Sequence, residues 1–194
     1  MLGIVLCGGL SLRMGADKGL LNHQDKLWAT LASDKLRSLG FEVKFSVNKN
    51  QESAYAGHFS EDKLILDNPS LDVKGPLHGV LSVHLLNPDD DLFLLACDML
   101  SMDVAVLQQL MNTFISEKSF EAYIFKKNGH QEPLCGIYTA VGLRKIMKML
   151  QTGVLEKHSM KFVLSQLNVL EIPVEAKDYH SFDNFNSHAE VNGL

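Results

Sequence analysis

Leu6-Cys7-Gly8-Gly9-Leu10-Ser11-Leu12-Arg13-Met14-Gly15-Ala16-Asp17-Lys18 is the stretch from which the rest of the chain can be read. Gly3, Ile4, Val5, Leu6 and Cys7 form a short apolar run of strand formers. Gly8 and Gly9 then allow a tight turn with no Cβ in the way. The loop beyond carries a hydroxyl (Ser11), a fixed cation (Arg13), a third glycine (Gly15) and a second cation (Lys18). A buried strand that opens into glycines and then cations suits a triphosphate. Bare N–H groups can approach its oxygens, and Arg13 and Lys18 offset phosphate charge as it builds.

Two widespread phosphate loops do not match. A P-loop needs Lys directly after its second glycine, followed by a hydroxyl. Gly15 is followed instead by Ala16, Asp17, Lys18 and Gly19. Gly8, Gly9 and Gly15 do not give the spacing of the dinucleotide-binding glycines either.

The chain of 194 residues is long enough to bury a substantial core as a single domain, 1–194. A net charge of −5 argues against broad nucleic-acid binding but leaves room for a local basic pocket. No apolar run approaches the ~20 residues that span a bilayer, and no basic-then-apolar leader opens the chain, so no membrane or secretory role is expected. Cys7, Cys97 and Cys135 are odd in number, far apart and without zinc spacing. They read as small buried hydrophobes in a reducing, cytoplasmic compartment.

Hydrophobic patterning alternates strands and helices. A helix is expected over Leu27–Leu39, with Leu27, Leu31, Leu36 and Leu39 inward and Gly40 as its stop. Trp28 within it reads as packing in preference to a ring stacked on a base. Strands follow at Phe41–Val47, Lys63–Leu66 and Leu92–Cys97; the last is a continuous apolar run that suits a strand covered on both faces. Helices are expected at Pro76–Leu86 and Val104–Ile115. Alternation of this kind implies an open α/β sheet whose ligands bind beyond the carboxyl ends of its strands. Gly8, Asn48, Asp67 and Asp98 would then share one rim.

In the second half, Phe120–Phe125 and Glu132–Tyr138 are expected to pair antiparallel around Asn128-Gly129. Helices at Val141–Leu150 and Ser159–Leu167, a strand at Val169–Val174 and a short helix capped by Ser187 complete the chain. Asp98, directly after a buried strand, is placed to hold Mg²⁺, which takes one or two carboxylates plus substrate phosphates and waters. Its plainer reading is a helix cap. Asp89-Asp90-Asp91 stands at the opposite end of that strand and reads as a solvated turn. His130 to Cys135 lacks the Pro-Cys pair and second Cys of a zinc deaminase.

The opening stretch resembles the L-A-G-G-x-S-x-R-M-G-x-D-K signature of the MobA-like nucleotidyltransferases, and within them the molybdenum cofactor guanylyltransferases. Further segments extend the resemblance: Ser46-Val47-Asn48, Asp67, Gly75-Pro76-Leu77, Leu95-Ala96-Cys97-Asp98-Met99, and Asn184-Phe185-Asn186 near the end. Leu100 stands where the family usually has Pro, Cys7 replaces an Ala, and Ser187-His188-Ala189-Glu190 replaces Thr-Pro-Glu. The resemblance implies a three-layer, Rossmann-like nucleotidyltransferase fold with a mostly parallel sheet and a small antiparallel extension. It also implies Mg²⁺-dependent transfer of GMP from GTP to a molybdopterin-type phosphate, with pyrophosphate released. Under it, Leu6, Cys7, Gly8, Lys18, Asn48, Asp67 and Asp98 contact the nucleotide, Cys7 through its backbone. Arg13, Lys18 and Asp98 act on the reacting phosphates, Asp98 binds the metal, and Asn186 is a second candidate metal contact. Other cofactor-assembly proteins are implied as partners. A cytidylyltransferase, a nucleotide-binding module without turnover and a nucleotide-sugar glycosyltransferase remain as alternatives. The last usually carries Asp-x-Asp, whereas Asp98 is followed by Met99 and Leu100.

Overall fold

A computed structural model of the protein describes residues 1–8, 17–183 and 185. Arg13, the glycines Gly9 and Gly15, Asn186 and the helix expected after Ser187 lie outside them. The chain opens with β1 (Leu2–Leu6) and, after the loop, a 3₁₀ turn at Lys18–Leu20. A two-rung hairpin of β2 (Asn22–His23) and β3 (Lys26–Leu27) follows, with Gln24 and Asp25 in the left-handed region at its tip. Then come α1 (Trp28–Ser38), β4 (Val43–Val47), α2 (Glu52–Ala56), β5 (Leu64–Leu66), α3 (Pro76–Leu86), β6 (Leu92–Ala96) and α4 (Val104–Ser116). The second half supplies β7 (Ala122–Lys127), β8 (His130–Tyr138), α5 (Ala140–Gln151), α6 (Met160–Ser165) and β9 (Val169–Pro173).

Seven strands form one sheet in the order β5-β4-β1-β6-β8-β7-β9. β5, β4, β1 and β6 run parallel, so the chain steps outward from β1 to β5 and then returns to the other side of β1. β8 runs antiparallel to both β6 and β7, and β9 runs parallel to β7. The sheet is therefore mostly parallel with an antiparallel extension, as the patterning and the resemblance lead one to expect. Asn128 and Gly129, both at positive φ, turn β7 into β8.

Alternation along the strands divides the core into two layers. Leu2, Ile4 and Leu6 of β1, with Leu92 and Leu94 of β6, face α3, α5 and α6. Val5 and Cys7, with Phe93 and Leu95, face α1, α2 and α4. Both faces of these central strands are covered, which is why Leu92 to Ala96 reads as an unbroken apolar run.

The buried face of α1 differs from the leucine stripe expected from sequence. Trp28, Ala29, Ala32, Ser33 and Leu36 are buried, while Leu27, Leu31 and Leu39 are only partly so. Small alanine side chains let α1 approach the sheet, whereas leucines at those positions would hold it away. Gly40 is indeed the C′ residue: its N–H donates to the Arg37 carbonyl at 2.8 Å, and Phe41 N–H to the Leu36 carbonyl at 3.4 Å.

Gly136 in β8 lies between β6 and β7, where a Cβ would stand 2.8 Å from Ile124 Cγ2 and 2.9 Å from the Tyr123 carbonyl oxygen. Backbone on one side cannot be relieved by a rotamer change. Gly136→Ala is expected to lower stability by about 1–3 kcal/mol, read as a reduced urea midpoint at unchanged slope.

Candidate active site

The parallel strands β1 and β6 are neighbours in register, Leu6 opposite Ala96, and the Cys97 N–H donates to the Leu6 carbonyl at 3.2 Å. The chain leads from β1 to β4 on one side of this pair and from β6 to β7 on the other, so their carboxyl ends flank a topological switch point. Gly8 and Asp98 leave the sheet there, on one rim. Asn48 after β4 and Asp67 after β5 continue the same rim.

Lys18 reaches this point from the far side of the loop. Its Nζ donates to Asp98 Oδ2 at 2.9 Å, with the two side chains 21% and 20% exposed. Shielding of this degree makes the pair stronger than a surface salt bridge. The position of Lys18 is set by the preceding residue. Asp17 Oδ1 accepts from the Gly19 N–H and from the Tyr55 hydroxyl, both at 2.9 Å, and its Oδ2 accepts from Gln51 Nε2. Gln51 Nε2 also donates to the Cys7 carbonyl at 2.9 Å. Tyr55 is fully buried on α2, and burial drives its phenol far above the ordinary range, so it stays a neutral donor to Asp17. Sequence reasoning passed over Asp17, Gln51 and Tyr55 as a set. The available signal was an acid directly before Lys18, at the cap of a short turn.

On the same rim a cleft of about 670 Å³ opens between β1, β4 and the start of α3, and neither Lys18 nor Asp98 lines it. Leu6, Gly8, Asn48 and Asp67 line it, as do Gly75, Pro76, His78 and Gly79 of the Gly-Pro-Leu segment. Asn48 is both a turn builder and a wall residue. Its Oδ1 accepts from the Asn50 and Gln51 N–H groups at 3.0 and 3.2 Å. Gly75 caps α3 at φ +71° and ψ −159°, a backbone state open essentially to glycine alone, and Pro76 begins the helix. The first turn of α3 thus faces the cleft with its positive end.

His78 was not singled out from sequence. A ring nitrogen, Nε2, stands 2.8 Å from the Asn68 carbonyl, which can only accept, so Nε2 carries the proton. The other ring nitrogen, Nδ1, stands 3.9 Å from Asp67 Oδ2. Burial raises the Asp67 pKa above the ordinary carboxylate range, and His78 partly offsets the rise.

Three expectations change on this geometry. Cys7 is buried, and its carbonyl is taken by Gln51. Both the Cys7 and Gly8 N–H groups donate to the Ser46 carbonyl, at 3.0 and 3.2 Å, because the ladder between β1 and β4 runs on past the strand end. Neither amide is therefore open to a phosphate, as the glycine-loop reading has it; Gly8 lines the cleft without its amide, and Cys7 supports from beneath. Asp89-Asp90-Asp91, on the opposite rim, is more than a solvated turn. Asp90 holds the N-terminal amine at 3.2 Å, and Asp91 accepts from the Ala140 N–H at the start of α5 at 2.8 Å. Among the described residues, no group of three or more His, Cys, Asp or Glu side chains is arranged to hold a metal unaided.

A model of the MobA-like NTP transferase domain matches residues 3–169. A probable molybdenum cofactor guanylyltransferase of Flavobacterium johnsoniae is 25% identical over 191 residues, covering 98% of this chain and 94% of the relative. The molybdenum cofactor guanylyltransferase of Campylobacter jejuni is 29% identical over 187 residues, covering 96% and 91%. Among solved structures, molybdopterin-guanine dinucleotide biosynthesis protein A of Archaeoglobus fulgidus superposes with a TM-score of 0.77 at 21% identity, covering 100% of this chain and 96% of that one. At that identity the superposition speaks for the fold.

A carboxyl whose pKa is raised on folding stabilises the fold fully below its unfolded value, and that contribution is lost as pH rises through the folded value. Asp67 is such a group, so its ionised form weighs against the fold at neutral pH. Asp67→Asn is expected to melt at a higher temperature than the parent at pH 7, with the gap closing toward pH 3.8. Melting curves across that range check it; an Asn variant less stable at pH 7 contradicts the assignment.

Proposed function

The chain belongs to the MobA-like NTP transferase family, and from that premise we propose that it transfers GMP from GTP to the phosphate of molybdopterin, releasing pyrophosphate. The observation that carries the reading is the Lys18–Asp98 pair at the switch point, on the same rim as a cleft of nucleoside size. Guanine and the pterin acceptor rest on the relatives' names. A glycosyltransferase is disfavoured by Met99 and Leu100 after Asp98.

The residues fit Mg²⁺ of one particular kind. A single rim carboxylate with no supporting acid cluster among the described residues cannot cage a metal, but Mg²⁺ commonly takes one or two carboxylates and completes its shell with substrate phosphates and water. An ammonium, that of Lys18, stands against Asp98 Oδ2, a position that suits positive charge. Asp98 would hold the ion, and when bound it would neutralise charge on the triphosphate and on the departing pyrophosphate.

The chain's own groups do the rest. Asn48, Asp67 and the mouth of α3 would hold the nucleoside, with Leu6 and Gly8 as the cleft wall. Lys18, exchanging Asp98 for phosphate oxygens, and Arg13 on the loop would offset charge on the reacting phosphates. The acceptor phosphate is ionised near neutral pH, so its oxygen attacks the α-phosphorus with no general base, and the bond to pyrophosphate breaks. Alignment and charge supply the acceleration. The free, buried Cys7, Cys97 and Cys135 support a reducing compartment, the cytoplasm, and cofactor-assembly proteins would supply and receive the pterin.

Purified protein given molybdopterin, Mg²⁺ and each nucleoside triphosphate in turn should release pyrophosphate with GTP. Lys18→Ala and Asp98→Asn should each lower turnover by ~10²-fold or more. Release with CTP in place of GTP makes the protein a cytidylyltransferase. Tight GTP binding with no pyrophosphate makes it a binding module. Near-normal turnover in either variant removes that residue from the mechanism.

A further inference from the structure

Lys35 sits in the last turn of α1, where a cation ordinarily stays in water near the helix C-terminus. Here its side chain leaves the helix and enters the segment that follows β6. Its Nζ donates to the Leu100 carbonyl and, at 3.4 Å, to the Met99 carbonyl. These are the two residues directly after Asp98.

No carboxylate is hydrogen-bonded to this ammonium among the described residues. The charged and titratable groups that face it are Asp103, at the N-cap of α4, and the Cys135 thiol on β8. Asp103 is exposed and already accepts from the Ala105 N–H at 2.8 Å. Cys135 is fully buried, which pushes its thiol well above its usual range and keeps it neutral. Burial accordingly pulls the Lys35 pKa down from 10.5 to about 8, with Asp103 offsetting only part of the fall. Holding a long side chain in place and desolvating its charge both oppose folding. Lys35 is thus a poor investment in stability and needs another reason to be where it is.

The segment it grips supplies that reason. After Cys97 the chain turns through Met99 N–H to the Ala96 carbonyl at 3.3 Å and Met102 N–H to the Met99 carbonyl at 3.2 Å. The Asp98 carbonyl accepts from the Phe185 N–H at 3.2 Å. Leu100 packs its side chain against Leu21, Trp28 and Phe185. Phe185 therefore holds the main chain at Asp98, and Lys35 holds it at the next two peptides. We infer that Lys35 is a positioning residue: its ammonium fixes the Met99–Leu100 peptides, and so aims the Asp98 carboxylate at the cation that accompanies the triphosphate. The inference rests on the metal role proposed for Asp98 and extends it to a residue 63 positions away in sequence.

Its test uses affinity and stability rather than turnover. The dissociation constant of the non-cleavable analogue α,β-methylene-GTP is measured with EDTA and with saturating Mg²⁺, and the ratio gives the metal-dependent gain. Lys35→Met should keep the EDTA affinity and lose roughly tenfold of the gain, as supporting residues around a metal ligand do. Lys35→Arg, which can still donate to both carbonyls, should restore most of it. The parent's gain should fall between pH 7 and pH 9 as the ammonium loses its proton, and the Arg variant's should not. The melting temperature of Lys35→Met at pH 7 should be no lower than the parent's. A full gain in Lys35→Met, with Asp98→Asn abolishing it, overturns the role of Lys35 alone. A full gain in Asp98→Asn overturns the metal role of Asp98 itself. Loss of EDTA affinity together with a lower melting temperature, unrescued by Arg, makes Lys35 a structural strut and also overturns the inference.

Discussion

The parallel pairing of β1 with β6 is the constraint on which the rest of the molecule depends. With Leu6 opposite Ala96, the glycine loop and Asp98 leave the sheet side by side, and a one-residue slip would send Asp98 to the other face. The pairing is fixed by burial. Leu2, Ile4 and Leu6 point into one layer and Val5 and Cys7 into the other, so no shifted register keeps both layers filled. A site assembled from residues 80 positions apart, Lys18 and Asp98, is thereby held by apolar packing distant from the chemistry.

Around this rim the chain gathers buried and half-buried polar groups. Asp67 is buried enough to resist ionisation, Lys35 is buried enough to give up its proton early, and Asp17 binds a buried tyrosine and glutamine. On the opposite rim the same residue types act structurally, with Asp90 on the N-terminal amine and Asp91 capping α5. Strain and desolvation gathered on one edge of an otherwise well-packed sheet are what a binding site requires, and they come at the expense of the fold.

Much of this was legible in the sequence because the signals are local. The run Leu92 to Cys97, the Gly-Pro at the start of α3, the Asn-Gly turn and the Gly40 stop each carry their reason within a few residues. Placing Gly8, Asn48, Asp67 and Asp98 on one rim needed only the strand order in sequence and the rule for parallel sheets. What could not be read is tertiary. Trp28, Ala29 and Ala32 face inward on α1 because the sheet behind them demands closeness, which a leucine count does not reveal. The Asp17–Gln51–Tyr55 set joins three segments with no shared motif, and Lys35 looks like any surface lysine until the segment after β6 is laid beside it. The Gly8 amide, a natural phosphate donor by sequence, is taken by the extension of the β1–β4 ladder.

The most direct measurement is a crystal structure of the protein with α,β-methylene-GTP and Mn²⁺, using the anomalous signal of manganese to locate the ion. The account predicts a manganese peak bonded to the Asp98 carboxylate, the triphosphate between that ion and the loop after Gly8, and the nucleoside in the cleft at Asn48, Asp67 and His78. A nucleotide bound on the Asp89–Asp91 rim, or manganese seated away from Asp98, would contradict it.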